Sequence, residues 1–172
     1  MMAFGIDRGR LLERSRLSEL YIRYAPEGIR LAYLLTGDRM LAEDLVQEAF
    51  ARFVGRLGHL RHPDAFGSYL RSTIVNLSRS HFRRRKVERA YLDSVKRAPA
   101  PTLGTENEYD QSVHEALLKL PERQRAAVVL RFYEDLSDTQ TAELMRCRPG
   151  TVRSLVSRAM HTLRTEMGVG VR

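Results

Sequence analysis

The sequence predicts an all-α protein of two small helical domains joined by a flexible linker, the C-terminal domain containing a helix-turn-helix. Three observations predict this class. Apolar residues recur at helical spacing along most of the chain. Residues 93–111 lose that spacing and contain two prolines and a glycine. Residues 136–163 form two helical patterns on either side of a short turn. A length of 172 residues with 43% apolar content suffices for one domain or two small ones.

These patterns divide the chain into five segments. They are a flexible N-terminus (1–16), a first helical domain (17–92), a linker (93–111), a second helical domain (112–167) and a short tail (168–172).

The first helical domain begins with an apolar pattern over residues 17–35, in which Pro26 and Gly28 indicate a break. Gly37 and Asp38 then end this segment and cap the next helix, residues 39–57.

That second helix carries an acidic outer face near its start, formed by Glu43, Asp44, Gln47 and Glu48. Acids at a helix N-terminus stabilise it through the helix dipole by about 0.3–1 kcal/mol each. A docking face for a basic partner is the alternative. From spacing alone, the first interpretation is favoured.

A loop at residues 58–66 precedes a further helix with a long basic exterior that includes Arg79 and the run 83–86. Tyr69, Phe66 and Phe82 lie among the basic residues. Rings and arginines together are typical of contact with single-stranded nucleic acid, whose bases stack while the phosphates bind guanidinium. The alternative is a solvated helix end with its aromatic residues in the core.

The second helical domain opens with a capping-box pattern at Ser112 and Glu115. Pro121 ends that helix and starts the next, whose apolar block, residues 126–130 with Phe132 and Tyr133, is predicted to be core. Four short helices result.

The last two of these helices form the helix-turn-helix. Ser137 and Gln140 make a capping pattern at the first, and Pro149 suits the first turn of the second. One arc of the second helix is apolar and predicted to be buried: Val152, Leu155, Val156, Ala159, Met160, Leu163 and Met167. The other carries side chains that reach phosphates and base edges: Thr151, Arg153, Ser154, Ser157, Arg158, His161 and Arg164. An ordinary amphipathic hairpin is the competing interpretation.

Charge and composition restrict the function classes. The net charge of +8 resides in residues 1–98, which hold 19 basic and 11 acidic side chains, whereas residues 99–172 hold 10 of each. The sequence pI of about 10.1 suits nucleic acid, an anionic membrane surface or a ribosomal partner. No apolar run approaches the roughly 18 residues of a membrane-spanning helix, and no signal peptide opens the chain, so we expect a cytoplasmic protein.

No catalytic chemistry is predicted either. The single cysteine, Cys147, excludes an intrachain disulfide and a cysteine-based zinc site, and the histidines lack metal-ligand spacing. There is no phosphate-binding glycine loop, nucleophile elbow or pair of catalytic acids. We therefore expect no enzyme activity, no catalytic residue, no metal, no cofactor and no small-molecule substrate.

Four stretches together resemble the extracytoplasmic-function (group 4) RNA polymerase sigma factors. Their sequence also resembles that of the actinobacterial branch of this class. AEDLVQEAF (42–50) resembles the family's polymerase-binding helix, and AFGSYLRSTIVNLSRSHFRRRK (65–86) resembles its promoter-melting and −10-reading segment. LPERQRAAVVLRFYEDLS (120–137) and CRPGTVRSLVSRAMHTLR (147–164) resemble its −35-reading domain. The resemblance covers about residues 17–90 and 112–167.

The resemblance implies a sigma factor that binds core RNA polymerase and directs promoter-specific initiation by reading the −35 and −10 elements and capturing the melted non-template strand. It implies binding to the β′ clamp helices through Asp44, Leu45, Gln47, Glu48 and Phe50. It also implies the β flap of core polymerase as a partner. It assigns −10 recognition and melting to His59, Leu60, Arg61, His62, Asp64, Tyr69, Asn76, Arg79, Arg83 and Arg84. It assigns −35 recognition to Arg148, Thr151, Arg153, Ser154, Ser157 and Arg158. Many members are held inactive by an anti-sigma factor between the two domains, which the linker here permits.

The chain departs from the family pattern at four places. Gln140 and Thr141 replace Glu-Ile, Arg146 replaces a turn glycine, Arg148 replaces a serine, and Leu155 replaces a frequent arginine. Arg146 requires the turn to tolerate a side chain. The sequence leaves two alternatives open: a stand-alone helix-turn-helix regulator that acts without polymerase, and an RNA-binding adaptor.

Overall fold

The computed structural model describes residues 4–54, 64–91 and 108–168. These ranges contain seven α-helices and one π-helical turn and no strand, so the predicted all-α class is confirmed. The helices are α1 (Phe4–Thr36), α2 (Arg39–Val54), α3 (Asp64–Tyr91), α4 (Glu108–Lys119), α5 (Glu122–Val128), α6 (Asp138–Met145) and α7 (Pro149–Glu166), and the π-helical turn is Val129–Tyr133. We call α1–α3 the N-terminal unit and α4–α7 the C-terminal unit.

Helix α1 is longer than the sequence predicts. It begins at Phe4, within the segment expected to be a flexible terminus, and passes through Pro26 without the predicted break. Pro26 lies on the exposed side of the helix. Gly28 is buried, and a Cβ there would lie 3.1 Å from Ile74 and 3.2 Å from Leu70, both on α3. Packing against α3 at this glycine therefore favours an unbroken helix over the local break.

The turn between α1 and α2 follows the prediction. Gly37 has a φ of +74°, a value that favours glycine, and ends α1. An Asp38 carboxylate oxygen accepts a hydrogen bond of 3.0 Å from the Leu41 backbone N–H, which caps α2.

An aromatic cluster fastens the three N-terminal helices together. Phe66 of α3 is fully buried, with its ring centroid 5.0 Å from that of Phe50 and 4.6 Å from that of Phe53, both on α2. Tyr24 of α1 meets Phe66 edge-on at 5.2 Å, and Tyr69 meets Phe53 at 5.2 Å. Such ring pairs add about 0.5–1.5 kcal/mol each to the area they bury. Phe66 is therefore a core residue and not a surface for stacking bases.

The C-terminal unit corrects two predictions. Helix α4 begins at Glu108, so Ser112 lies within the helix and is not its cap. Residues 126–130 are buried as predicted, but Phe132 is 62% and Tyr133 43% exposed. The π-helical turn accounts for this exposure. The Glu134 N–H donates to the Val129 carbonyl five residues earlier, and this wider turn rotates Phe132 and Tyr133 off the core face.

The helix-turn-helix follows its sequence signals closely. The Ser137 hydroxyl accepts a hydrogen bond from the Gln140 N–H at 3.2 Å, while the Gln140 side chain accepts one from the Ser137 N–H at 2.9 Å, which completes the predicted capping box. Pro121 precedes α5, and Pro149 is the first residue of α7. The apolar arc of α7 faces inward, with Val152, Leu155 and Ala159 buried and the other predicted members half-buried.

The two units pack directly on each other along a surface that we call the seam. An ion pair joins Arg71 of α3 to Glu134, which follows the π-helical turn. Tyr33 of α1 stacks on His114 of α4 with ring centroids 4.3 Å apart and planes 13° apart. Apolar side chains from both units form one continuous cluster.

Candidate nucleic-acid and polymerase interfaces

The outer face of α7 presents polar and basic side chains at helical spacing. Arg148, Arg153, Ser154, Ser157 and Arg158 are exposed and Thr151 is half-buried. Val152 and Leu155 on the opposite face anchor the helix in the core. The Ser154 hydroxyl donates to the Gly150 carbonyl at 3.0 Å, which leaves its oxygen lone pairs toward solvent. The six predicted −35 residues thus share one accessible surface of a rigid helix.

The turn before α7 contains the two arginines that depart from the family pattern. Arg146 has φ +50° and ψ +55°, the left-handed conformation in which glycine is preferred. Arg148 occupies the N-cap of α7 and is exposed. The turn accommodates the Arg146 side chain, at the cost of an unfavourable backbone conformation.

The predicted −10 residues that the structure describes lie along one side of α3. Tyr69, Asn76, Arg79 and Arg83 line a cleft of about 750 Å³, and Arg84 is exposed further along the helix. The same cleft is lined by Arg146 of the C-terminal unit. The N-terminal basic face and the helix-turn-helix therefore meet at the seam.

Part of the predicted melting site lies outside the described residues. His59, Leu60, Arg61 and His62 fall there, and Asp64 is the first residue of α3.

Sequence reasoning missed three of the side chains in this cleft besides Arg146: Arg52, Thr73 and Ser80. Arg52 forms an i,i+4 ion pair of 2.6 Å with Glu48, which in the sequence resembles ordinary helix stabilisation. The sequence did contain an indication that Thr73 and Ser80 belong to the cleft. They lie three and four residues from Asn76, which puts them on the same face of the helix.

Positive charge in the cleft is not fully neutralised. Partial burial, and then the neighbouring guanidiniums of Arg146 and Arg123, lower the pKa of Arg79. The Arg79 guanidinium also donates to the Leu144 carbonyl of the C-terminal unit at 3.5 Å. An anion that entered the cleft would relieve the repulsion between these like charges.

The acidic face of α2 adjoins the cleft through Glu48, whose carboxylate pairs with Arg52 of the cleft lining. Asp44, Gln47 and Glu48 are exposed, whereas Leu45 and Phe50 are each 5% exposed and belong to the core. The carboxylates are therefore available for contact, while Leu45 and Phe50 hold the helix that carries them.

In the described ranges, no helix is long and apolar enough to cross a membrane. Nor do the described His, Cys, Asp and Glu side chains form a group able to hold a metal ion.

Comparison with known proteins decides between the remaining alternatives. Residues 20–88 match the model of sigma-70 region 2, and residues 110–163 match that of sigma-70 region 4. The chain belongs to the sigma-70 family of RNA polymerase sigma factors. A stand-alone regulator is not favoured, because it leaves the region 2 match without a role.

Relatives and a solved structure agree with this assignment. The chain is 33% identical over 151 residues to the RNA polymerase sigma-E factor of Streptomyces coelicolor, covering 87% of this chain and 85% of that protein. It is 37% identical to the extracytoplasmic-function sigma factor SigE of Mycolicibacterium smegmatis, covering 85% of this chain and 59% of that protein. The sigma factor RpoE of Bartonella quintana, solved with the anti-sigma factor NepR, aligns with a TM-score of 0.71 and 25% identity over 90% of this chain and 98% of RpoE.

This sigma factor is of the extracytoplasmic-function type and resembles the actinobacterial members. It acts with RNA polymerase in transcription initiation. Its N-terminal unit corresponds to region 2 and its C-terminal unit to region 4.

Proposed function

We propose that three surfaces of this sigma factor divide the work of initiation. The acidic face of α2 docks on core polymerase, the outer face of α7 reads the −35 duplex, and the basic face of α3 captures the melted −10 strand. The observation that supports this proposal is the distribution of exposed charge: α2 exposes the carboxylates of Asp44 and Glu48, whereas α3 and α7 expose arginines.

The exposure of the acidic side chains of α2 supports their role as the docking surface. Asp44, Gln47 and Glu48 project from a helix that Leu45 and Phe50 fix to the core, so binding costs little ordering of the backbone. The proposed contact is with the β′ clamp helices, and region 4 would meet the β flap. Leu45 and Phe50 support the surface from beneath it and do not themselves touch the polymerase.

The docking assignment is tested with Asp44→Arg in the full chain. Replacing an exposed acid by a base at a basic partner both loses attraction and adds repulsion, so affinity for core polymerase should fall at least about tenfold, or 1.4 kcal/mol. Glu27→Arg, at an exposed acid on α1, makes the same charge change elsewhere and should bind as the unaltered protein does. Equal affinities for all three proteins would refute the docking role of α2.

The reading roles follow from which groups each helix exposes. Arginine on α7 can bind guanine through two hydrogen bonds, worth about 1–3 kcal/mol of discrimination, while the serine and threonine hydroxyls bind phosphates or bases. On α3, Tyr69, Asn76 and Arg79 line the same cleft, which thereby offers an aromatic ring, an amide and a guanidinium to an extruded base and its phosphate.

The packing of the two units implies an opening step. Arg146 of region 4 lines the same cleft as Asn76 and Arg79 of region 2, so in this arrangement the proposed −10 surface is partly covered. We infer that the units separate when the sigma factor binds polymerase and promoter.

An anti-sigma factor is a further proposed partner. RpoE of Bartonella quintana, which shares this fold, was solved in complex with one. A protein that held the two units of this chain would keep the proposed −10 surface covered. We also propose that the chain is a non-catalytic initiation factor that works in the cytoplasm, where polymerase is.

A further inference from the structure

A second cavity lies at the seam, smaller and less polar than the cleft. Its volume is about 220 Å³. Leu35, Val75 and Phe82 of the N-terminal unit and Ala126 and Met145 of the C-terminal unit form its apolar walls. Neither unit alone completes it, so the cavity exists only when the two units are packed together.

A buried serine lines this cavity, and its hydroxyl has no partner among the described residues. Ser78 of α3 lines the cavity, is 3% exposed, and its Oγ makes no hydrogen bond to any described residue. Leaving a buried hydroxyl unpaired costs about 1–3 kcal/mol. The Oγ is sealed from solvent in its present position, so a ligand with an oxygen acceptor would remove this cost by drawing the Ser78 hydroxyl toward the cavity, where it could donate.

The rim of the cavity is cationic. Of the residues that the structure describes, Arg79, Arg83, Lys86 and Arg123 border the cavity, and Glu122 contributes the one carboxylate. Arg79 and Arg83 approach from α3 and Arg123 from α5, so the packing of the two units brings like charges together. Partial burial, followed by the charges of Arg146, Arg123 and Arg83, lowers the pKa of Arg79. Such a rim favours an anionic group at the mouth of the cavity.

We propose that this cavity binds a small organic anion, with an aryl or short alkyl body between the two units and a carboxylate or phosphate head against the arginine rim and Ser78. The size agrees with this class: a dry cavity of about 150 Å³ holds benzene, so the present volume accommodates an aromatic ring with a short substituent. Apolar walls with a few convergent polar groups are the usual character of a small-molecule site.

Binding would stabilise the packed arrangement. A ligand that binds only when the units are together shifts the equilibrium toward that state by a factor of one plus its concentration divided by Kd, about tenfold at ten times Kd. The site is thereby a means for a metabolite to hold the −10 surface covered. Only this consequence rests on the proposed function, because binding is measured without polymerase or DNA.

The test uses the whole 172-residue chain, free of partners and labelled with ¹³C at its methionine methyl groups. Met145 is 2% exposed and lines the cavity, so its methyl resonance reports occupancy directly. Phenylacetate carries a carboxylate head group and phenyl phosphate a phosphate head group, each on an aromatic ring. Benzyl alcohol has the aromatic ring without a charged group, and inorganic phosphate has the charged group without a ring. We expect at least one aryl anion to shift the Met145 signal saturably and to bind at least tenfold more tightly than benzyl alcohol, and inorganic phosphate to leave the signal unchanged.

Two variants locate the site, and a third is the matched control. Arg123→Gln, an exposed change on the rim, should weaken the aryl anion about fivefold or more. Ala126→Leu fills the cavity and should abolish binding. Arg85→Gln removes an exposed arginine of α3 that does not line the cavity, and should leave affinity unchanged. The proposal is overturned if no aryl anion shifts Met145, if benzyl alcohol binds equally well, or if Arg85→Gln weakens binding as much as Arg123→Gln.

Discussion

The ion pair between Arg71 and Glu134 is a specific means of holding regions 2 and 4 together, and reversing one of its charges should separate them. Arg71 lies on α3 and Glu134 follows the π-helical turn, 63 positions further along the chain. The two side chains are 31% and 13% exposed. Glu134→Arg places two guanidiniums at this contact, whereas Arg71→Glu combined with Glu134→Arg restores opposite charges in the reverse order.

The burial of the pair sets the size of the change in packing free energy that Glu134→Arg should cause. Exposed pairs contribute about 0.2–1 kcal/mol, and breaking a fully buried pair costs about 3–5 kcal/mol. This pair lies between those limits, so we expect Glu134→Arg to disfavour the packed arrangement by about 2 kcal/mol, on the order of a thirtyfold change in the ratio of packed to separated molecules.

Energy transfer between dyes on the two regions measures this ratio. The dyes are attached at Arg16→Cys on α1 and Arg164→Cys on α7, both exposed, in a Cys147→Ser background. Transfer should fall in Glu134→Arg and recover in the charge-swapped double variant. Glu43→Arg, which disrupts the pair of 3.0 Å between Arg39 and Glu43 within α2, controls for the loss of any ion pair. Unchanged transfer in Glu134→Arg, or no recovery in the double variant, would refute the role given to this pair.

Three further predictions concern stability and DNA binding. Arg146→Gly places glycine at a left-handed backbone position that disfavours arginine, so the free energy of unfolding should rise by about 0.5–1 kcal/mol, measured by urea denaturation. Asp135→Gly, at the same φ of +50°, should raise it less, because aspartate tolerates this conformation better than arginine does. Burial lowers the pKa of His114 below its ordinary 6.5, so the unfolded chain binds the proton more tightly and stability should decline as pH falls below about 6.5. His114→Phe should flatten that decline, measured by urea denaturation across this pH range. Arg158→Ala should weaken −35 duplex binding by about 1–3 kcal/mol if it reads a base, or reduce the salt slope by about one if it binds phosphate, as measured by fluorescence anisotropy.

Local patterns were sufficient for much of the fold. The Ser137 and Gln140 capping box, the cap at Asp38 and the buried arc of α7 depend on residues within a few positions of one another, so the sequence specified them directly. The Phe132 and Tyr133 prediction was wrong because an α-helical period was extended through a π-helical turn, which the residue types alone did not indicate.

Contacts between distant parts of the chain could not be predicted in this way. Tyr33 and His114 stack across the seam although 80 other residues separate them in the sequence, and no periodicity relates their positions. In the sequence, Ser78 is like any other small residue on a helix. That its hydroxyl has no partner among the described residues depends on the packing of α5 and α6 opposite α3, which the sequence does not show. Helical spacing already grouped the acidic residues of α2 and the polar arc of α7. The family resemblance supplied their roles and the remaining candidates, and the structure adds which of them share a surface.

Promoter-specific transcription with purified core polymerase tests the central claim most directly. Core enzyme with this chain should yield transcripts from discrete start sites on fragmented genomic DNA. Asp44→Arg should abolish these transcripts through lost docking, and Arg153→Ala combined with Arg158→Ala should weaken them through lost −35 contact. Absence of any discrete start with the unaltered chain, or unchanged starts with Asp44→Arg, would contradict the account.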